Sequence, residues 1–90
     1  MEKEVIRWSI ETSGPIGPET DLPEMPVIPA GAILIVGRRA PVWYYGRALH
    51  KAHGSPAGLV AFFDPRLGGG VVVASHTPGY KEGDIIPFQW

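Results

Sequence analysis

The chain predicts an α+β domain: a single sheet with one main helix. Three observations carry that expectation. Continuous β-branched and aliphatic runs recur at Ala32-Ile33-Leu34-Ile35-Val36, Leu59-Val60-Ala61-Phe62-Phe63 and Val71-Val72-Val73-Ala74, the pattern of buried strands. Between the first two lies a stretch whose apolar residues recur at helical spacing. Glycine and proline clusters close each element.

Val5-Ile6-Arg7-Trp8-Ser9-Ile10-Glu11 alternates polar Arg7, Ser9 and Glu11 with Ile6, Trp8 and Ile10, which predicts a first strand. Residues 14–29 hold Pro15, Pro18, Pro23, Pro26 and Pro29 with little periodicity, an extended connection along the surface. The run 32–36 predicts a central strand ended by Gly37. Pro41 suits the first position of a helix and Gly54 its stop. Between them Val42, Tyr45, Leu49 and Ala52 are expected to face the core, with Arg47 and Lys51 exposed and His50 and His53 on a common face. Strand 59–63 follows, then a turn at Asp64-Pro65-Arg66-Leu67-Gly68-Gly69-Gly70, and strand 71–74 returns as a hairpin partner. Residues 77–84 form a loop and 85–88 a short last strand, placed at an edge by Pro87.

Ninety residues bound the chain to one domain, 1–90. A hydrophobic content of 44% argues against disorder despite twelve Gly and ten Pro. With no cysteine, disulfide frameworks and thiolate zinc sites are excluded. The charged start and the lack of a long apolar stretch predict neither signal peptide nor membrane span, so a cytoplasmic protein is expected. So small a core often gains stability by self-association, and a homodimer is expected.

The net charge of −1 conceals a segregation. Glu2, Glu4, Glu11, Glu19, Asp21 and Glu24 gather in residues 1–24, whereas residues 25–66 carry Arg38, Arg39, Arg47, Lys51 and Arg66 against Asp64 alone. A local basic patch favours an anionic ligand. It is too small for long duplex nucleic acid and better suited to a compact phosphate ester.

Several constellations could carry chemistry. At Gly37-Arg38-Arg39-Ala40-Pro41 a strand ends and a helix begins, where free N–H groups and guanidinium groups favour an anion; the bland reading is two solvated arginines. His50 and His53, three apart, could present two imidazoles to one ligand or metal, or simply complement the helix C-terminus. Asp64-Pro65-Arg66 reads as ordinary turn chemistry. Yet an aspartate directly after a buried strand is also well placed for a site, and Arg66 could stabilise phosphate charge. His53, Asp64 and His76 offer nitrogen and carboxylate ligands that suit manganese better than calcium. His76 would lie away from the Asp64 turn within one subunit, so a shared site would be assembled between subunits. P-loop, dinucleotide, zinc-protease and nucleophile-elbow motifs are absent.

With these residues in view, the chain resembles the third class of ring nucleases associated with type III CRISPR systems, small manganese-dependent proteins that open cyclic tetra-adenylate. The resemblance covers residues 31–86. It rests on Gly37-Arg38 with Pro41-Val42-Trp43, Leu49-His50-Lys51-Ala52-His53, Phe63-Asp64-Pro65-Arg66-Leu67-Gly68, and Val71-Val72-Val73 leading to Ser75-His76. It implies a ferredoxin-like relative that dimerises and degrades a cyclic RNA second messenger, switching off antiviral signalling. By position, His53, Asp64, Arg66 and His76 match the family's active-site residues, with Asp64 and His76 closest to the metal. Arg38 or Arg39 would hold substrate phosphate, with His50 beside the substrate. The family's site is completed when substrate is sandwiched between dimers. Here Gly37 and Pro41 are separated by one residue more than in the family pattern, so either arginine could match. The residues alone leave two other readings open: a non-catalytic sensor or sponge for the same ligand, and a structural subunit with incidental histidines.

Overall fold

A computed structural model describes residues 3–90; the first two positions of the expected 1–90 domain lie outside the described residues. Five strands form one sheet in sequence order: β1 (Val5–Ser9), β2 (Ile33–Gly37), β3 (Leu59–Asp64), β4 (Gly69–Ser75) and β5 (Ile85–Pro87). The helix α1 (Val42–Ala52) connects β2 to β3. The expected α+β class with one main helix holds. Two helices in β-α-β-β-α-β order define the ferredoxin-like pattern; among the described residues there is one α-helix, and the first crossover is the proline-rich segment instead. Among the described residues no helix is long and apolar enough to cross a membrane.

Pairing direction sets where polar groups emerge. β1, β2 and β3 run parallel, so their C-terminal ends share one edge. β3 turns back through a single 3₁₀ turn, Pro65–Leu67, into antiparallel β4, and β5 adds antiparallel to β4. A parallel β2–β3 pair needs a crossover, which is why a helix separates them while a short turn suffices for β3–β4.

Every residue of β2 is buried. Alternation sends Leu34 and Val36, with Trp8, Ile10 and Val60, toward α1, and Ile33 and Ile35, with Leu59, Ala61 and Val72, to the opposite face. That second face is covered by Phe63, Ile86, Phe88 and Trp90. The Trp90 ring lies so close over Gly37 that a β-carbon there would fall 2.5 Å from it.

The helix is rotated from the expected face. Tyr44, Ala48 and Ala52 are its buried residues, whereas Val42 is 84% exposed and Tyr45 and Leu49 only flank the core. Two alanines four apart let the helix axis approach the sheet closely, and Tyr44 fills the wider end. The proline-rich segment is held to this helix from outside. Tyr44 Oη donates to the Asp21 carbonyl at 2.7 Å. Arg47 Nη1 donates to the carbonyls of Thr20 at 2.7 Å and Pro18 at 3.2 Å. Gly69 and Gly70, expected in the turn, belong to β4. A β-carbon on Gly69 would meet the Ile86 carbonyl oxygen at 2.0 Å, so glycine is what lets β5 pair there. Pro87 sits in β5, which pairs with β4 alone, as expected of an edge.

Candidate functional site

The expected site residues separate into two clusters and one outlier. The first cluster occupies the shared C-terminal edge of β1, β2 and β3. Glu11 lies just past β1, Arg38 and Arg39 just past β2, and Asp64 is the last residue of β3. Such edges are where open parallel sheets commonly present ligand-binding groups.

Arg38 is the one non-glycine residue with positive φ among the described residues, at 84°. For a side-chain-bearing residue this left-handed conformation costs on the order of 1–2 kcal/mol, and two contacts hold it. The Tyr45 hydroxyl donates to the Arg38 carbonyl, and Arg38 Nε stands 3.5 Å from Glu11 Oε1. Partial burial pushes the Tyr45 phenol above its usual range, so its O–H donor persists throughout the neutral range. Arg39 is exposed and makes no ion pair among the described residues. Both arginines line a cavity of about 470 Å³ with Glu11, Tyr45, Phe63 and Pro65. An adjoining one of about 560 Å³ reaches Asp64 and Arg66.

Asp64 is bound closely by its own turn. Arg66 donates its backbone N–H to Asp64 Oδ1 at 2.9 Å, its Nε to the same oxygen at 3.3 Å, and Nη2 to Oδ2 at 3.2 Å. The side-chain hydrogen bond from Arg66, then the backbone one, hold the Asp64 carboxyl below its ordinary value. The same contact raises the Arg66 guanidinium. The turn reading of Asp64 is therefore realised, with the carboxylate facing a cavity.

The second cluster is at the opposite end of the sheet. His53 caps the C-terminus of α1, and His76 follows β4, whose Ser75 pairs with Leu59 at the start of β3. The two imidazole rings lie 6.3 Å apart at 61°. The turn carrying His76 is fixed by its N–H to the Gly58 carbonyl at 2.8 Å and by Thr77 Oγ1 to the same oxygen at 3.0 Å. Five residue steps along β3 separate this end from Asp64, roughly 17 Å. His50 joins neither cluster. It lines a groove on the outer side of α1 with Trp43, Arg47 and Lys51, so the expected shared face with His53 is not realised as one site.

Manganese was expected on Asp64 and His76. Within one chain these two stand at opposite ends of the sheet, and among the described residues no group of three or more His, Asp or Glu side chains converges where a metal could be held. One copy by itself does not fit the metal. Sequence reasoning also missed Glu11 and Tyr45. Tyr45 carried a helical-periodicity signal that pointed to the core, and nothing in the sequence marks a left-handed Arg38.

The structure is thus a small α+β domain with arginines gathered at the C-terminal edge of parallel strands and a histidine pair at the far end. The family model for CRISPR-associated protein (Cas_csx3) matches residues 9–87, and the chain belongs to that family. An uncharacterized protein of Aquifex aeolicus (strain VF5) is 34% identical over 108 aligned positions, covering 98% of this chain and 93% of that protein.

Proposed function

We propose that the protein is a ring nuclease that opens cyclic tetra-adenylate to linear di-adenylates and so terminates type III CRISPR second-messenger signalling. The observation that carries the reading is the division of the expected active-site residues between two ends of one sheet. Asp64, Arg66 and the Arg38–Arg39 pair lie at one end, and His53 with His76 at the other. Copies stacked end to end, as dimers around a ring-shaped ligand, would bring the two sets against the same phosphodiesters. Membership of a CRISPR-associated family supports the same reading.

In this scheme Arg39 holds a substrate phosphate, since Arg38 is engaged by Glu11 and shaped by Tyr45. Arg66 offers charge to the phosphoryl oxygens. His53 moves a proton between the attacking and leaving oxygens. Each cut breaks one P–O bond to a ribose oxygen. A 2′,3′-cyclic phosphate end identifies the neighbouring 2′-hydroxyl as nucleophile, and a 5′-phosphate with a 3′-hydroxyl end identifies water. Manganese belongs to this proposal only as a requirement of the assembled copies.

The test is incubation of radiolabelled cyclic tetra-adenylate with the protein, with manganese or with chelator, and separation on denaturing gels. Manganese-dependent linear di-adenylates support the reading; intact ring under both conditions overturns it. One observation favours a second reading, a sponge that binds without cutting: both Asp64 oxygens are already occupied by Arg66. Asp64→Ala separates the two. Lost turnover with retained binding speaks for the nuclease, and unchanged ligand handling makes Asp64 a turn residue only.

A further inference from the structure

The outer side of α1 carries a groove that neither cluster uses. Its volume is about 820 Å³, and it is lined by Asp21, Leu22, Trp43, Gly46, Arg47, His50 and Lys51. One wall is the helix and the other is the proline-rich segment. That second wall is preformed, because Tyr44 and Arg47 fasten the carbonyls of Pro18, Thr20 and Asp21 to the helix. Arg47 thus spends donors on neutral carbonyls and forms no ion pair among the described residues, so its positive charge stays on the groove.

Trp43 leaves 41% of its surface exposed at the mouth, an unusual position for the largest apolar side chain. Among the described residues its one aromatic neighbour is Tyr44, in a T-shaped contact at 5.8 Å, so no second ring is stacked on the indole. One turn further, Gly46 removes a side chain that would fill the floor; a β-carbon there would meet nothing within 4 Å. Arg47 is about 6 Å along the axis from Trp43. His50 and Lys51 follow one turn beyond, and helical side chains lean back toward the N-terminus, hence toward that same stretch. A part-exposed indole, a glycine in place of a side chain, a tethered Arg47, an exposed Lys51 and an imidazole are complementary to a flat heterocycle carrying a phosphate. Arg47 and Lys51 outweigh the single carboxylate that lines the groove, Asp21.

We propose that this groove is a nucleotide-binding site in which Trp43 stacks on the base and Arg47, Lys51 and His50 take the phosphate. The site requires neither catalysis nor a second copy, so it stands apart from the ring-nuclease reading.

The probe is adenosine 5′-monophosphate, titrated into ¹⁵N-labelled full-length protein in chelator, where no metal-dependent turnover occurs. The indole N–H resonances of Trp8, Trp43 and Trp90 are followed, with Trp43 assigned by its disappearance in Trp43→Phe. The expected result is a saturable shift of the Trp43 indole and of the Gly46, His50 and Lys51 amides, weakened at least fivefold in Lys51→Glu. An oligoadenylate that acts at lower concentration identifies the ligand as a nucleotide within a chain. Equal potency identifies a free nucleotide. Identical shifts with inorganic phosphate alone, or a Trp43 resonance unmoved at millimolar nucleotide, overturn the proposal. The cleavage assay is unaffected by either result, so the two readings fail independently.

Discussion

Replacing Tyr44 by phenylalanine isolates what holds the proline-rich crossover in place. Tyr44 is fully buried and its hydroxyl donates to the Asp21 carbonyl at 2.7 Å. Phenylalanine keeps the ring and its packing on Ala48, so the change is confined to one hydrogen bond. Its net loss is worth about 0.5–1.5 kcal/mol, and a carbonyl left partly desolvated adds a fraction of the further 1–3 kcal/mol due a fully buried orphan. About 1–2 kcal/mol is therefore expected. For a domain of this size that corresponds to a fall in Tm of roughly 4–16 °C. Equilibrium urea unfolding followed by far-ultraviolet circular dichroism should show a lower midpoint with an unchanged slope. Arg47→Met removes the ties to Pro18 and Thr20 from the same segment. Once either residue is gone the segment is already loosened, so the double variant should lose less than the two single losses combined. A Tyr44→Phe protein within about 0.3 kcal/mol of the parent, or strict additivity with Arg47→Met, would refute the idea that these donors pin the crossover; the threshold is the ordinary scatter of additive sites.

Three further outcomes are expected. Gly69→Ala cannot be accommodated while the Ile86 carbonyl keeps its place, so β5 should detach, and the amides of Ile86 within it and of Phe88 just beyond it, which donates to the Gly68 carbonyl, should lose hydrogen-exchange protection while β2 keeps its own. The Asp64 carboxyl, held low chiefly by the Arg66 side chain, should titrate below an ordinary aspartate in carbon-detected NMR and return toward the usual value in Arg66→Ala. Because the folded value is depressed, the stabilising contribution is present above the ordinary aspartate range and fades as pH falls through the folded value. Finally, Arg39→Gln should weaken binding of labelled cyclic tetra-adenylate about tenfold, as for loss of a charge-assisted hydrogen bond. Arg38→Asn, which tolerates the left-handed backbone, should weaken it less. The reverse order would show that Arg38 holds the phosphate.

The residues themselves determined much of this molecule. The apolar runs at 33–36 and 59–63 made strands wherever they paired, because no other arrangement buries so many branched side chains. Pro41, expected as the first helical residue, is the N-cap one residue before α1, and Pro87 marked an edge, since a proline lacks the donor an interior position needs. The concentration of Arg38, Arg39, Arg47, Lys51 and Arg66 was equally plain. Periodicity misjudged the helix face, because Tyr45 and Leu49 fit a helical repeat as well as Tyr44 and Ala48 do. Close approach to the sheet favoured the alanines.

The hairpin pattern announced that His76 lies away from Asp64; which other polar residues meet was decided by tertiary structure. Alternation along a strand fixes faces, but not which strand ends share an edge; that depends on pairing direction between segments far apart in sequence. Parallel pairing of β1, β2 and β3 set Glu11, Arg38 and Asp64 on one edge. The antiparallel return of β4 carried His76 to the other, beside His53. Arg38 took its left-handed backbone because a distant phenol and a distant carboxylate hold it there, and a conformation paid for by remote contacts leaves no mark on its own sequence.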